Sequence, residues 1–426
     1  MEMAHEESIP KVKSRKNQKG VALLVALFTI TILTFLAVEL SYDTSVEYVV
    51  SNNEYRRMKA YYAAKSGLEL SLLRILLYRK VVAQFGENLK GQEELINKIW
   101  SFPFVWPIVP PDDINSVEKD QIKEAVGEAL MDSSYFTTIS SEGSKLDLND
   151  LASPSESLQK TTKDQLTKLL QDRADEDDEF GDFLRNYDYE SLINNIKDWV
   201  DEDSVSDNGG DEGAAYSNID TDSEVKLPPN REFRTLEEVR MVSGMDDRIY
   251  NFLLPRITVY GVKGINPNYA DKALLKSINE DITDEVADEI IAHRNDPQKG
   301  PFSNKEAFFS FLESERVDTG AIEDSKIPLY FDTEYNFRIE SVGTSGSVIK
   351  KIVAIVYDVD ATAARLKELL PKDEKDGEDD GNGNGNGGGN GGGNGATTTT
   401  TTTNTTSTTK PPPPKGRPNV IYYYED

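Results

Sequence analysis

From Val21 to Leu40 the chain carries a single charge, Glu39. At about 1.5 Å of rise per residue, roughly 20 such residues cross a hydrocarbon core of about 30 Å. Lys11, Lys13, Arg15, Lys16 and Lys19 flank the run on its N-terminal side only, which keeps that flank cytoplasmic and places everything after Leu40 beyond the membrane. A secretory signal would end in a small-residue cleavage site. Ala37-Val38-Glu39 matches that poorly, and the helical pattern runs on past it. The joint Gly20-Val21-Ala22-Leu23-Leu24-Val25 reads instead as a leader fused directly to a hydrophobic helix.

The helical pattern continues beyond the membrane. Tyr42, Val46, Val49, Val50, Tyr55, Met58, Tyr61, Tyr62, Ala64, Leu68, Leu72, Leu73, Leu76 and Leu77 recur at steps of three and four. Glu47, Asn52, Arg56, Arg57, Lys59, Lys65 and Arg74 lie between them. With no proline and only Gly67 inside, one continuous helix is expected from Val21 to Arg79, half in lipid and half packed on a soluble domain. Tyr135 to Ile139 reads as a strand, as do Tyr335 to Val342 and Val348 to Asp358, the last two joined by a Gly343-Thr344-Ser345-Gly346 turn. Between the first strand and the other two lies a long acidic stretch of short helix candidates. Strand, helical block, strand is the pattern of an α domain inserted into an α+β domain.

Composition removes several functional classes. The 426 residues carry 75 acids against 47 bases, a formal net charge of -28, which disfavours phosphate-backbone binding and hence nucleic acid. The absence of cysteine excludes disulfides, thiolate metal sites and a cysteine nucleophile. Of two histidines, His5 lies in the leader, so a Ser-His-Asp triad would have to use His293, which no motif partners. No catalytic residue is assigned. From Pro371 the chain passes through acidic, Gly/Asn and Thr tracts to Pro411–Pro414 and reads as a flexible linker. The apolar end Asn419-Val420-Ile421-Tyr422-Tyr423-Tyr424 is expected to fold back as a strand.

Two constellations stand out. Asp198, Asp201, Asp203, Asp207 and Glu212 crowd hard oxygen ligands onto a Gly-containing loop, the donor type a calcium ion takes. Asp201, Asp203, Asp207 and Glu212 match the first, third, seventh and twelfth positions of an EF-hand loop, but Val205 and Ser206 break the pattern. A solvated acidic loop fits the same residues, although so many like charges repel one another unless neutralised. The second constellation runs from Ile265-Asn266-Pro267-Asn268 through Leu274–Ile278 and Val286–Arg294 to Gly300–Phe308, and resembles a helix-hairpin-helix unit. Its hairpin, Asn279-Glu280-Asp281-Ile282-Thr283, has no glycine and two carboxylates, so it reads as a packing module and not a DNA clamp. A weaker copy spans Leu236 to Leu254.

The leader joint, Tyr61-Tyr62-Ala63-Ala64-Lys65-Ser66-Gly67-Leu68-Glu69, Asp198-Trp199-Val200-Asp201 and Ile265-Asn266-Pro267-Asn268 occur in the order seen in one family. The chain resembles the protein K family of general secretion pathways, the large minor pseudopilins of type II secretion systems, along nearly its whole length apart from the linker. The resemblance implies an α+β pseudopilin fold: a long N-terminal helix packed on a small antiparallel sheet, with a large inserted all-α domain containing helix-hairpin-helix-like units. It implies cleavage after Gly20 and methylation of Val21 by a prepilin peptidase. Most pilins carry a glutamate at the fifth mature position that pairs with a neighbour's N-terminal amine. This chain has Val25 there, which suits a subunit with no neighbour above it, because a buried unpaired carboxylate is costly.

Also implied are partnership with the I and J minor pseudopilins and the inner-membrane assembly platform, and single-pass inner-membrane anchoring with the bulk of the chain in the periplasm. Calcium is implied in the loop from Asp198 to Glu212. The expected organisation is a leader over 1–20, the helix over 21–80, pseudopilin segments over 81–146 and 331–366, an insert over 147–330, a linker over 367–417 and a final strand over 418–426. The function expected is a non-enzymatic tip-complex subunit that initiates or caps a pseudopilus. A DNA-uptake pseudopilin and a calcium-dependent membrane-anchored hydrolase are the alternatives. Glu2, Glu6 and Glu7 in the leader, Val21 in place of phenylalanine and the length of the linker depart from the pattern.

Overall fold

Uninterrupted three-and-four spacing has one structural solution, and the first helix takes it. α1 runs without a break over Gln18–Phe85, about 100 Å long at the usual rise. The computed structural model describes residues 18–85, 93–110, 116–217, 226–296, 298–331, 333–370 and 416–426. Residues 1–17 of the leader and residues 371–415 of the linker lie outside them. Among the described residues α1 is the one helix long and apolar enough to cross a membrane, and its most apolar stretch is buried against nothing. Thr29, Thr31 and Thr34 donate their hydroxyls to carbonyls one turn back, so they bring no unpaired donor into the apolar run.

The second half of α1 lies on an antiparallel sheet of five strands in the order β1-β2-β5-β6-β7. The strands are β1 (Phe104–Trp106), β2 (Ser134–Ser141), β5 (Phe337–Ser345), β6 (Val348–Val356) and β7 (Val420–Glu425). Ala64, Leu68, Leu72, Ile75 and Tyr78 of α1 pack on Ile139, Phe337, Ile339, Ile352, Ala354 and Val356. α2 (Glu93–Ser101) closes one end of this core with Ile96 and Trp100, and the Trp100 ring meets Phe337 edge-on at 5.1 Å. Arg74 follows the heptad-like polar spacing yet is buried. It donates to the carbonyls of Ile99 and Trp100 at 2.9 Å each and so caps α2.

The hairpin between β5 and β6 departs from the sequence reading. Gly343, Thr344 and Ser345 are strand residues paired with Lys350, Ile349 and Val348, and the turn is only Gly346-Ser347. Gly343 is a glycine for a different reason: a Cβ there would sit on the Ala60 carbonyl and the Ala64 amide of α1. The glycine lets helix and sheet backbones touch. Phe104–Trp106, inside a Pro-rich segment that gave no strand signal, forms the short edge strand β1.

Between β2 and β5 lies the helical block. After α3 (Ser116–Glu128), which precedes β2, come α4 (Glu156–Glu176), α5 (Asp178–Arg185), α6 (Tyr189–Val200), α7 (Asp247–Leu253), α8 (Lys272–Lys276), α9 (Asp284–Asn295), α10 (Lys305–Ser314) and α11 (Thr319–Ser325). α12 (Val359–Leu369) follows the sheet. Residues 148–152, 212–216 and 236–241 are single 3-10 turns. The block is not purely helical, because β3 (Leu146–Asp147) and β4 (Ile257–Thr258) pair in parallel at its base. Its own core gathers Leu166, Leu170, Ile193, Ile196, Trp199, Ile249, Leu253, Leu275 and Phe308 among others.

Polar contacts fasten block to sheet. Glu142 accepts from Arg338 and Thr258, Asn336 donates to the Gly261 carbonyl at 3.0 Å, and the Tyr269 hydroxyl reaches Asn97 of α2 at 3.1 Å. At the base, Lys263 places its ammonium 2.8 Å from Asp150 and 3.1 Å from Asp147. All three groups are nearly enclosed.

Candidate metal site

α6 builds the site from both of its faces. Asp188 caps its N-terminus by accepting from the Ser191 amide. Leu192, Ile193, Ile196 and Trp199 turn inward. Trp199 lies flat on Phe233, ring centroids 5.6 Å apart, and meets Tyr216 at 6.1 Å. These contacts draw the chain after α6 around the end of the helix. The loop closes through an isolated bridge between Val205 and Asp211 and through positive-φ turns at Gly209 and Gly210.

Asp198, Asp201 and Glu212 meet inside this loop, each offering a carboxylate oxygen within 4.8 Å of the others. Asp198 is buried, and its oxygens accept from the Ser206 hydroxyl at 2.6 Å and the Asp207 amide at 3.0 Å. Glu212 is buried too; one oxygen accepts from the Asn230 amide at 2.8 Å. Three oxygens around the centre are buried without a hydrogen-bond partner: Oδ1 of Asp201, Oε1 of Glu212 and Oδ1 of Asn230. Burial, aided by Asp203, pushes Asp201 up to about 6, and burial with Asp201 and Asp198 pushes Glu212 up to about 7. Carboxylates held close without water or a cation take protons back.

The other two acids proposed from sequence face elsewhere. Asp207 accepts from Lys197 at 2.8 Å, and the Asp203 side chain accepts from the Val205 amide at 2.7 Å while its carbonyl accepts from Asn230. Asn230 was not anticipated. It follows Pro228-Pro229, adopts φ of 48° and returns to the loop from 18 residues beyond Glu212. A Pro-Pro-Asn turn is legible in sequence, but nothing local says which loop it closes on. The carboxylate oxygens of Asp198, Asp201 and Glu212 converge, with Asn230 hydrogen-bonded to Glu212 beside them, so this oxygen-only donor set fits a hard cation such as calcium.

The remaining sequence-derived sites lie apart from this loop. Gly20, Val21 and Val25 are within α1, with Val21 and Val25 exposed. His293 stacks flat on Phe302 at 4.5 Å and meets Phe311 edge-on. Its Nδ1 is buried without a partner among the described residues, and burial lowers its basicity. In the hairpin of the second constellation, Ile278 and Ile282 are buried, Asn279 accepts from the Asp281 amide, and Asp281 accepts from the Asp318 amide.

A membrane-length apolar helix continues onto an antiparallel sheet, with a helical block between two of its strands. Residues 144–262, which include β3, β4 and the whole acidic loop, match the family model of type II secretion system protein K. The structure of the chain is similar to one described as the GspK-GspI-GspJ complex from the type 2 secretion system of enterotoxigenic Escherichia coli. The identity is 17%, the TM-score 0.49, and the match covers 74% of this chain and 95% of that one. No curated protein matches the sequence.

Proposed function

We propose that the chain is a minor pseudopilin that joins the I and J minor pseudopilins in the tip complex initiating or capping the periplasmic pseudopilus. One observation carries the reading: a protein K domain over residues 144–262 sits on a chain whose 68-residue helix has a fully exposed apolar half. The function resides in surfaces, not in an active site. The exposed residues of α1, among them Tyr48, Val49, Tyr55, Met58 and Tyr62, offer a stripe for lateral packing against partner helices. Such packing draws the subunits partly out of the membrane and seeds further addition. A prepilin peptidase cutting after Gly20 releases Val21 for methylation, and the inner-membrane platform receives the subunit. Val25 leaves the fifth mature position uncharged, as befits the topmost subunit.

In the same reading the block over 147–330 is an inserted domain whose helix-hairpin-helix units serve packing. Calcium held by Asp198, Asp201, Glu212 and Asn230 would supply the positive charge that lets the loop keep its carboxylates together. The chain's own part is to hold them: α6 fixes Asp198 and Trp199, and the stacked Phe233 brings Asn230 back to the loop. Deleting the chain from a cell with a working type II system tests the function. Folded substrates are expected to accumulate in the periplasm, with export restored by the parent chain and not by a Gly20→Asp form that resists cleavage. Export undiminished by the deletion would overturn the reading.

A further inference from the structure

β6 is apolar where β7 lies on it. Ile352, Ala354, Ile355 and Val356 are at most 1% exposed. A strand so placed and left without a neighbour presents an open row of N–H and C=O groups. β7 closes that row from Ile352 opposite Glu425 to Ile355 opposite Tyr422, then shifts register to set Val356 opposite Val420. The terminal Asp426 exchanges both main-chain hydrogen bonds with Lys351, at 3.0 and 3.2 Å.

Side chains add little to this docking. Within residues 416–426 only Pro418 is buried, and Ile421, Tyr423 and Tyr424 are 47%, 42% and 49% exposed. Val420 touches the α1–sheet core, Tyr422 lies 6.0 Å from the Tyr260 ring, and Arg417 makes an exposed ion pair with Glu69. The main-chain ladder therefore dominates, and such a ladder accepts an extended segment from any chain that can present one. Nor does covalent geometry bind β7 to its own sheet. Residues 371–415 stand between α12 and the strand, and a spacer of that length reaches at most about 150–160 Å.

We propose that the β6 edge is a strand-acceptor site whose ligand is the C-terminal segment 416–426, and that the segment exchanges between copies of this chain. Tethering gives each copy's own strand an effective concentration on the order of millimolar. Exchange is accordingly favoured where copies crowd in the membrane.

The absence of cysteine from the chain permits a direct test. Ala354 faces Tyr423 across the ladder, so full chains carrying Ala354→Cys alone and Tyr423→Cys alone are mixed in detergent at high concentration and mildly oxidised. A crossed disulfide species of twice the chain mass is expected, reduced at least about tenfold by excess synthetic peptide of residues 416–426 competing for the same ladder. The doubly substituted chain is expected to close its disulfide internally when dilute. If the double variant closes while the mixture gives no crossed species, or a crossed species that the peptide leaves untouched, exchange is overturned. If the double variant fails to close, the acceptor edge itself is overturned.

Discussion

The carboxylates of the candidate metal site and the buried lysine at the base of the block pose opposite electrostatic problems. Around Asp201 and Glu212, negative charge converges on unpartnered oxygens. A cation that binds only the folded state stabilises it by about 3 kcal/mol at a hundred times its dissociation constant. Calcium is therefore expected to raise the melting temperature of the parent chain by several degrees. Glu212→Gln and Asp201→Asn are expected to abolish that rise, while Asp207→Asn, whose parent side chain pairs with Lys197, keeps it. Scanning calorimetry with calcium and with chelator reads the difference, and an Asp207→Asn chain that loses the response would redraw the ligand set. At the base, Lys263 answers two carboxylates. Asp147 also accepts from the amides of Asn149 and Gly261, whereas Asp150 relies on Lys263. Burial, only partly offset by Lys263, pushes Asp150 up to about 7. The folded chain then keeps a proton there that the unfolded chain releases near pH 4, so stability falls as pH rises from about 4 to about 7. Asp150→Asn is expected to flatten that part of the profile by a kcal/mol or more; urea denaturation at pH 5 and 8, at about 25 °C, checks it, and parallel profiles would contradict it. Lys263→Met strands both carboxylates and is expected to cost about 3–5 kcal/mol.

Elements formed by local pattern were legible, and those fixed by distant contact were not. α1 follows from spacing alone, since side chains three and four apart share a helix face whatever they pack against. β5 and β6 follow from their apolar and β-branched runs. The hairpin was misplaced because Gly343 looks like a turn residue in sequence, and only α1, some 280 positions earlier by register, explains it. Gly343→Ala is expected to force helix and sheet apart and cost about 1–3 kcal/mol, measured by denaturant unfolding; an unchanged midpoint would show that the two backbones have room. Arg74 falls among the polar positions of α1 and is nevertheless buried, because its partners, the last carbonyls of α2, are not local. In the candidate metal site, α6 supplies Asp198 and the following loop Asp201 and Glu212, close enough in sequence to be seen. Asn230 arrives through stacking of Phe233 on Trp199, which no spacing rule encodes.

At the scale of the molecule, two cores carry two tasks. The α1–sheet core holds the long helix whose first half is apolar and exposed, and the core of the block shapes the acidic loop and the surfaces around it. Glu142, Asn336 and Tyr269 tie the two together through polar contacts. A subunit built this way acts by joining others. The most direct measurement is co-purification of the full chain, in detergent and calcium, with the I and J minor pseudopilins of the same secretion system, followed by mass determination of the eluted species. A stable ternary complex is expected, weakened by aspartate substitutions at Val49 and Tyr62 on the exposed stripe of α1. Elution of this chain alone, with both partners folded and present, would contradict its assignment to the tip.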